Sequence, residues 1–464
     1  MTSAHHGTGN KYLYLAQEFS LPLLLGVVVA IVCANANPKL YDKVVNHTYS
    51  FFVGDESHED HEENHDHEEH GDEGDDHKKD DQEKSDHKDE KSKDGDHSAD
   101  DADPHEGDGH GDGHGHATGW RKYFTLHFIV NELFMVLFFG IAAKEIAESC
   151  LPGGALNPVS KAINPLMGTI GGVLGPVGVY IGLNAIMGQA DWAKGWGIPT
   201  ATDIALAWLI ARIVFGSGHP AISFLLLLAV ADDGIGLMII AIFYPVAEPV
   251  WLNALWVVPG VVVAYVLRIN KVQAWSPYIV VGGALSWWGL YSAHLHPALA
   301  LVPIVPFLPG PARDEGLYED NLETIETDPL NRFEHDLKAF VDFGLFFFAF
   351  ANAGVQFESL SNLTWIVLLS LLVGKTIGIA FFSWGATFFG FPLPDGMRLK
   401  HLIVAGVIAG LGLTVALFVA GQEFSNADYR GASKMGALFS GGIAVLAIVL
   451  GKMLGVKGPE TDKN

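Results

Sequence analysis

Leu226–Ile240 reads LLLAVADDGIGLMII, and two adjacent carboxylates, Asp232 and Asp233, stand in the middle of this otherwise apolar run. An ionised side chain at the centre of a bilayer costs about 2.5–3.5 kcal/mol on insertion scales, so an acid pair inside a membrane segment is by default a functional site. A lone buried Asp could be a satisfied helix-packing residue, whereas an uncompensated pair is harder to excuse. Successive helical residues lie about 100° apart, so the two carboxylates cannot share one direction. One can meet a partner while the other faces a cavity.

The rest of the chain is consistent with such a segment. Of 464 residues 49% are hydrophobic, yet the formal net charge is −25. The conflict resolves when charge is mapped. Asp55 to His116 holds 27 Asp or Glu, 6 Lys and 12 His, which puts −21 in that segment and leaves −4 for everything else. A polar insert therefore interrupts a membrane protein, and its charge density predicts disorder. Only two cysteines occur, Cys33 and Cys150, which excludes a disulfide framework and a CxxC metal motif. The first apolar run, Leu21 to Ala34, ends in ANAN, a stretch like a signal-peptidase site, but Lys11 is the only basic residue before it. A retained first helix is the expected reading. No nucleophile and base pair occurs outside the apolar segments, so neither an enzyme nor a cofactor is expected, and nucleic acid is not an expected partner.

Segments of about 20 apolar residues predict spanning helices. Twelve can be read, near 18–37, 124–146, 163–185, 198–215, 220–244, 250–268, 275–291, 294–309, 337–357, 362–388, 400–421 and 433–454, those at 198–215 and 294–309 being short or broken. The predicted organisation is an N-terminus and first helix over 1–53, an acidic His-rich loop over 54–117, helices two to eight over 118–309, a connector over 310–336, helices nine to twelve over 337–456 and a tail over 457–464. Fourteen Lys or Arg fall in short loops on the side of the N-terminus, against three (Lys194, Arg430 and Lys434) on the other. Basic residues accumulate on the cytoplasmic side, so both termini are expected inside and the insert in the periplasm of an inner membrane.

Two further constellations place polar chemistry inside these spans. Lys375, in LLVGKTIGIAFFSW, is too far from a helix end to snorkel. A buried cation needs an anion, and Asp232, Asp233 and Asp203 are the candidates. Asp203 lies in GIPTATDIALAW, and a similar interruption occurs in GVIAGLGLTVALF with Gly406, Gly410, Gly412 and Thr414. Pro and Gly disrupt the backbone ladder, while Thr and Asp can satisfy the groups set free. Two interrupted helices in corresponding positions of two halves point to discontinuous helices at the midplane of an inverted-repeat transporter, a class of which NhaA-type antiporters are one example.

The chain resembles the NhaA-type sodium/proton antiporters from Glu18 to about Val456, apart from the insert. The resemblance rests on ATDIALA at Ala201 to Ala207, ADDGIG at Ala231 to Gly236, HPALA at His296 to Ala300, FAFANAGV at Phe348 to Val355, GKTIGI at Gly374 to Ile379 and AGLGLTVALFVA at Ala409 to Ala420. It implies an all-α membrane protein with inverted repeats and two discontinuous crossing helices. It further implies an ion and proton site at Asp232 and Asp233, a buried basic partner at Lys375, and Thr202 and Asp203 at the broken crossing. Glu132 falls where the family usually has an Asp in the second helix, His296 matches a family histidine, and Glu334 and His335 match part of a pH-sensing stretch. The chain departs from the family at Lys338, where a second histidine is expected, and at Ala142 and Ile146, where acids are expected. The insert takes the place of an external β-hairpin that serves dimerisation in the family, so a homodimer is an open expectation.

The implied activity is export of sodium, or lithium, in exchange for protons for pH and sodium homeostasis. Sodium prefers oxygen ligands, which carboxylates and unwound helix ends supply, and a proton needs the same carboxylate. If about two protons leave for each sodium, the cycle moves charge and responds to membrane potential. Two other classes stay in view. A sodium-coupled solute symporter would want a roomy polar cavity beyond the acid pair. A metal-handling protein would use the insert, where His58, His61, His65, His67, His70, His110, His114 and His116 offer imidazoles for weak, heterogeneous divalent-metal sites. His127, His219 and His401, near helix ends, are expected to be interfacial fillers.

Overall fold

The computed structural model describes residues 21–46, 125–157, 159–311 and 328–456. The acidic insert, with all of its histidines, and the centre of the 310–336 connector lie outside the described residues.

Among the described residues every element is helical and there is no strand. This follows from apolar sequence that can satisfy its backbone groups only internally. In chain order the helices are α1 (Leu21–Ala36), α2 (Pro38–Asn46) and α3 (Leu126–Ser149). Next come α4 (Val159–Met187), a tight 3-10 segment (Ala190–Thr200), α5 (Ile204–Phe215) and α6 (Pro220–Phe243). They are followed by α7 (Trp251–Ile269), α8 over 278–292, α9 (Pro329–Asn352) and α10 (Asn362–Phe388). The chain closes with α11 (Leu399–Ala409), α12 (Thr414–Glu423) and α13 (Ala427–Leu454). Among the described residues six helices are long and apolar enough to cross a membrane, or eight if each of two bent pairs is one span.

The segment near 294–309, expected as a short or broken span, is not a continuous helix. It forms two short 3-10 turns, Pro297–Leu299 and Val305–Phe307, joined by further turns over 300–304, because Pro297, Pro303, Pro306 and Pro309 remove donors and clash with preceding carbonyls. α9 starts eight residues before the expected 337, where the Asp328 carboxylate accepts from the Asn331 amide at 3.0 Å and Pro329 takes the first helical position. Two histidines expected as fillers have a defined structural part. His219 Nδ1 accepts the Ala221 amide at 3.1 Å and caps α6, and His401 Nδ1 accepts the Arg398 amide at 3.0 Å at the head of α11.

The packing that positions the site is between α4 and α10. Gly171 and Gly175 on α4 meet Gly374 and Gly378 on α10, and a Cβ on Gly374 would lie 2.6 Å from the Pro176 Cα. Small residues four apart on both helices let the backbones touch, and that close approach replaces the hydrophobic drive that lipid removes. Immediately before Lys375 the helix widens into a π turn, Ser370–Gly374, a feature often found at functional sites.

Candidate ion-binding site

Both interrupted segments break and bend. Ala190–Thr200 and α5 meet at 59°, and α11 and α12 at 46°. The two breaks, 201–203 and 410–413, lie against each other. The Asp203 amide donates to the Leu411 carbonyl at 2.7 Å, and Thr202 Oγ1 is 2.9 Å from the Ala409 carbonyl. Each break thus supplies groups that the other has lost from its helical ladder. Asp203 serves both: Oδ1 accepts the Leu206 amide at 3.1 Å as the cap of α5, and Oδ2 accepts from Thr414 Oγ1 at 3.2 Å across the crossing. Gly412 has no room for a side chain, since a Cβ there would sit 2.8 Å from Leu371 Cδ2 and 2.9 Å from the Ala201 carbonyl.

Beside the crossing runs α6, whose 24 residues span about 36 Å, enough for a hydrocarbon core of about 30 Å. Asp232 and Asp233 are midway along it and diverge. Asp232 is fully buried; its Oδ2 accepts from Lys375 Nζ and is 2.9 Å from Thr202 Oγ1, while its Oδ1 has no hydrogen-bond partner. Lys375, also fully buried, donates to Thr202 Oγ1 at 2.7 Å as well. The Thr202 hydroxyl has one proton to give, so it is offered either to Asp232 or to the Ala409 carbonyl. Asp233 faces away from this cluster, and its Oδ1 is buried without a partner. With Phe138, Phe139, Ala142, Leu237 and Val415 it lines a cavity of about 10 Å³, the scale of a single water molecule. The structure therefore joins Asp232, Lys375, Thr202 and Asp203 in one network and leaves Asp233 alone at an apolar cavity.

With an acid pair and a lysine set beside two helix breaks, comparison with known proteins gives the family of the chain. The profile of the family Na+/H+ antiporter 1 matches residues 114–455. The chain belongs to this antiporter family. The Na(+)/H(+) antiporter NhaA of Geobacter sulfurreducens is 60% identical over 452 residues, 96% of this chain and 99% of that protein. Its namesake in Geobacter metallireducens is 61% identical over 338 residues, 72% of this chain and 87% of its own length. The NhaA of Desulfitobacterium hafniense is 50% identical over 455 residues, 97% and 98% of the two chains. This antiporter-family chain is accordingly a multi-pass membrane protein.

The other residues singled out in this antiporter's sequence lie apart from the acid pair. Glu132 is on a π turn of α3, Ile129–Phe134, with Oε2 buried and unpartnered and its carbonyl accepting from Trp287 Nε1 at 3.0 Å. His296 is 1% exposed, and neither ring nitrogen makes a well-formed hydrogen bond; its ring meets Phe418 edge-on at 5.6 Å. Glu334 belongs to a separate network in which Lys144 Nζ lies 2.6 Å from Glu334 and 2.5 Å from Glu148, with Lys338 at 3.4 Å. His335 is largely exposed, 3.5 Å from Asp336. Among the described residues no three His, Cys, Asp or Glu side chains are grouped to hold a metal ion.

Several groups escaped the sequence reading. Ser440 Oγ accepts the Gly412 amide at 3.3 Å and so supports the second break, and Asn352 Nδ2 donates to Asn131 Oδ1 at 2.9 Å between α9 and α3. A lone Ser or Asn in an apolar helix carries little signal. The paired glycines Gly171/Gly175 and Gly374/Gly378 did carry one, in their four-residue spacing.

Proposed function

We propose that this chain exports sodium, or lithium, in electrogenic exchange for protons, and so serves sodium and pH homeostasis. The observation that carries the reading is the position of Asp233, a carboxylate whose Oδ1 is buried without a partner at a water-sized cavity, one residue from an acid held by Lys375. In this reading Asp233 and Asp232 take either the cation or protons. A hard cation finds oxygens at the two carboxylates, at Thr202 and at the carbonyls freed by the breaks. Lys375 holds Asp232 while the site is empty of sodium and yields to the incoming cation. Two protons per sodium leave, either from both acids or from one acid and Lys375. Asp203, with Thr414, keeps the breaks in register and completes the ion and proton site at the crossing. Glu132, His296, Glu334 and His335 tune access and pH response from outside the site.

The proposed frame has twelve spans in inverted repeats centred on the two broken helices, with both termini cytoplasmic and the acidic loop periplasmic in the inner membrane. A homodimer and divalent-metal capture by the loop histidines are part of the same proposal, the loop acting as an accessory. A solute symporter is disfavoured because a cavity of about 10 Å³ has room for an ion or one water and not for an organic solute.

Everted membrane vesicles provide the test. Sodium added to respiring vesicles should collapse the imposed proton gradient, faster with an inside-positive potential, and Asp233→Asn should abolish the response with insertion intact. Exchange at full rate in the Asp232→Asn/Asp233→Asn protein would refute the site, and a rate indifferent to potential would refute electrogenic exchange.

A further inference from the structure

α10 buries Lys375 toward α6 and turns its opposite face outward, where Ile377 is 60% and Phe381 65% exposed. Between that face and α11 runs an apolar groove of about 430 Å³, lined on α10 by Ile377, Ala380, Phe381 and Trp384 and on α11 by Leu399 and Ile403. Thr376 also borders it, with its hydroxyl turned back onto the Leu372 carbonyl at 2.5 Å, so that the Trp384 indole N–H is the polar group left in an otherwise apolar lining. Its size is within the range of ligand sites, roughly 300–1,000 Å³.

One end of the groove has a basic rim. Leu399, which lines it, is flanked by the exposed Arg398 and by Lys400. Lys400 Nζ donates to the Leu454 and Gly455 carbonyls at 3.2 and 2.7 Å, which brings the end of α13 and its exposed Lys452 to the same place. Asp395 is the one acid in the adjoining 389–398 turn. The N-terminus of α11 adds the positive end of a helix dipole. A largely apolar trough closed by several cations matches a molecule with a long hydrocarbon tail and an anionic head. A zwitterionic head would bring its own ammonium to that rim and gain less.

We propose that this groove seats an acyl chain of an anionic phospholipid whose phosphate lies at Arg398 and Lys400. The occupant touches the helix that carries Lys375 and the half-helix that ends at the Gly410–Leu413 break. These two also pack tightly behind it, since a Cβ on Gly406 would lie 3.0 Å from the Thr376 Cα. Lipid identity therefore acts on the two elements that frame the ion site. The proposal does not depend on the ion assignment, because lipid occupancy is read directly.

Trp384, 47% exposed in the groove, is the reporter. The purified full chain is placed in phosphatidylcholine vesicles containing brominated phosphatidylglycerol, and in phosphatidylglycerol vesicles containing brominated phosphatidylcholine. Trp384→Phe supplies the signal of the other tryptophans for subtraction. The Trp384 emission should be quenched at a several-fold lower mole fraction of the brominated anionic lipid. That preference should fall close to unity in Arg398→Gln/Lys400→Gln, and at least halve in Arg398→Gln alone, which leaves the Lys400 contacts to α13 in place. Equal quenching by the two lipids overturns the proposal, as does a preference that survives both variants. Loss of the preference on adding inorganic phosphate at constant ionic strength would assign the rim to free phosphate and also overturn it.

Discussion

Lys375→Ala is the perturbation whose magnitude the structure fixes best. Lys375 and Asp232 are both fully buried and paired, and the amine also holds Thr202 at 2.7 Å. Water cannot replace the lost cation, so Asp232 is left as an uncompensated charge with one oxygen already lacking a partner. Breaking a buried pair on one side costs about 3–5 kcal/mol, whereas removing both partners is often far milder. Lys375→Ala should therefore destabilise by about 3–5 kcal/mol, and Asp232→Asn added to it should recover roughly 1–3 kcal/mol, the usual size of coupling between contacting residues. Asp233→Asn should recover little, because Asp233 faces the cavity and not the amine. The assay is unfolding in detergent micelles followed by tryptophan emission, run as a double-mutant cycle at fixed pH. Additive losses for Lys375→Ala and Asp232→Asn would refute the pairing argument. Coupling to Asp233 as large as that to Asp232 would refute the assignment of the partner.

Three further outcomes follow from individual contacts. Asp203→Ala should lose the α5 cap, worth about 1 kcal/mol, together with the Thr414 bridge, whereas Asp203→Asn keeps the cap; thermal unfolding of the two variants should rank them in that order. Gly412→Ala drives a methyl into Leu371 and the Ala201 carbonyl of the facing break, so a loss of about 1–3 kcal/mol, typical of overpacking, should accompany loss of sodium-driven exchange in vesicles. Burial holds the His219 imidazole below its usual range, and its Nδ1 is a cap acceptor only while unprotonated. Its contribution is thus present above about pH 6.5, the unfolded value, and is lost as the pH falls below it, by about 1 kcal/mol for a lost cap; a pH series should show this acid-side loss in the parent and not in His219→Asn.

The features legible in the sequence were those whose physical cost is local. A charge inside an apolar run is expensive wherever the helix packs, so Asp232, Asp233 and Lys375 stand out one by one. Proline and glycine break a helical ladder by their own geometry, so both interruptions could be placed before their bends of 59° and 46° were seen. The same property, in Pro297, Pro303, Pro306 and Pro309, overrode the hydropathy signal at 294–309 and left short turns there. Sequence alone also established a helical membrane protein and the resemblance that the family match bears out. What it could not fix was rotation: each helix turns about its own axis until its neighbours stop it, and those neighbours are distant in the chain. Only the tertiary structure, through the glycine contacts of α4 with α10 and the mutual hydrogen bonds of the two breaks, decided that Lys375 meets Asp232 and that Asp233 is left facing a cavity.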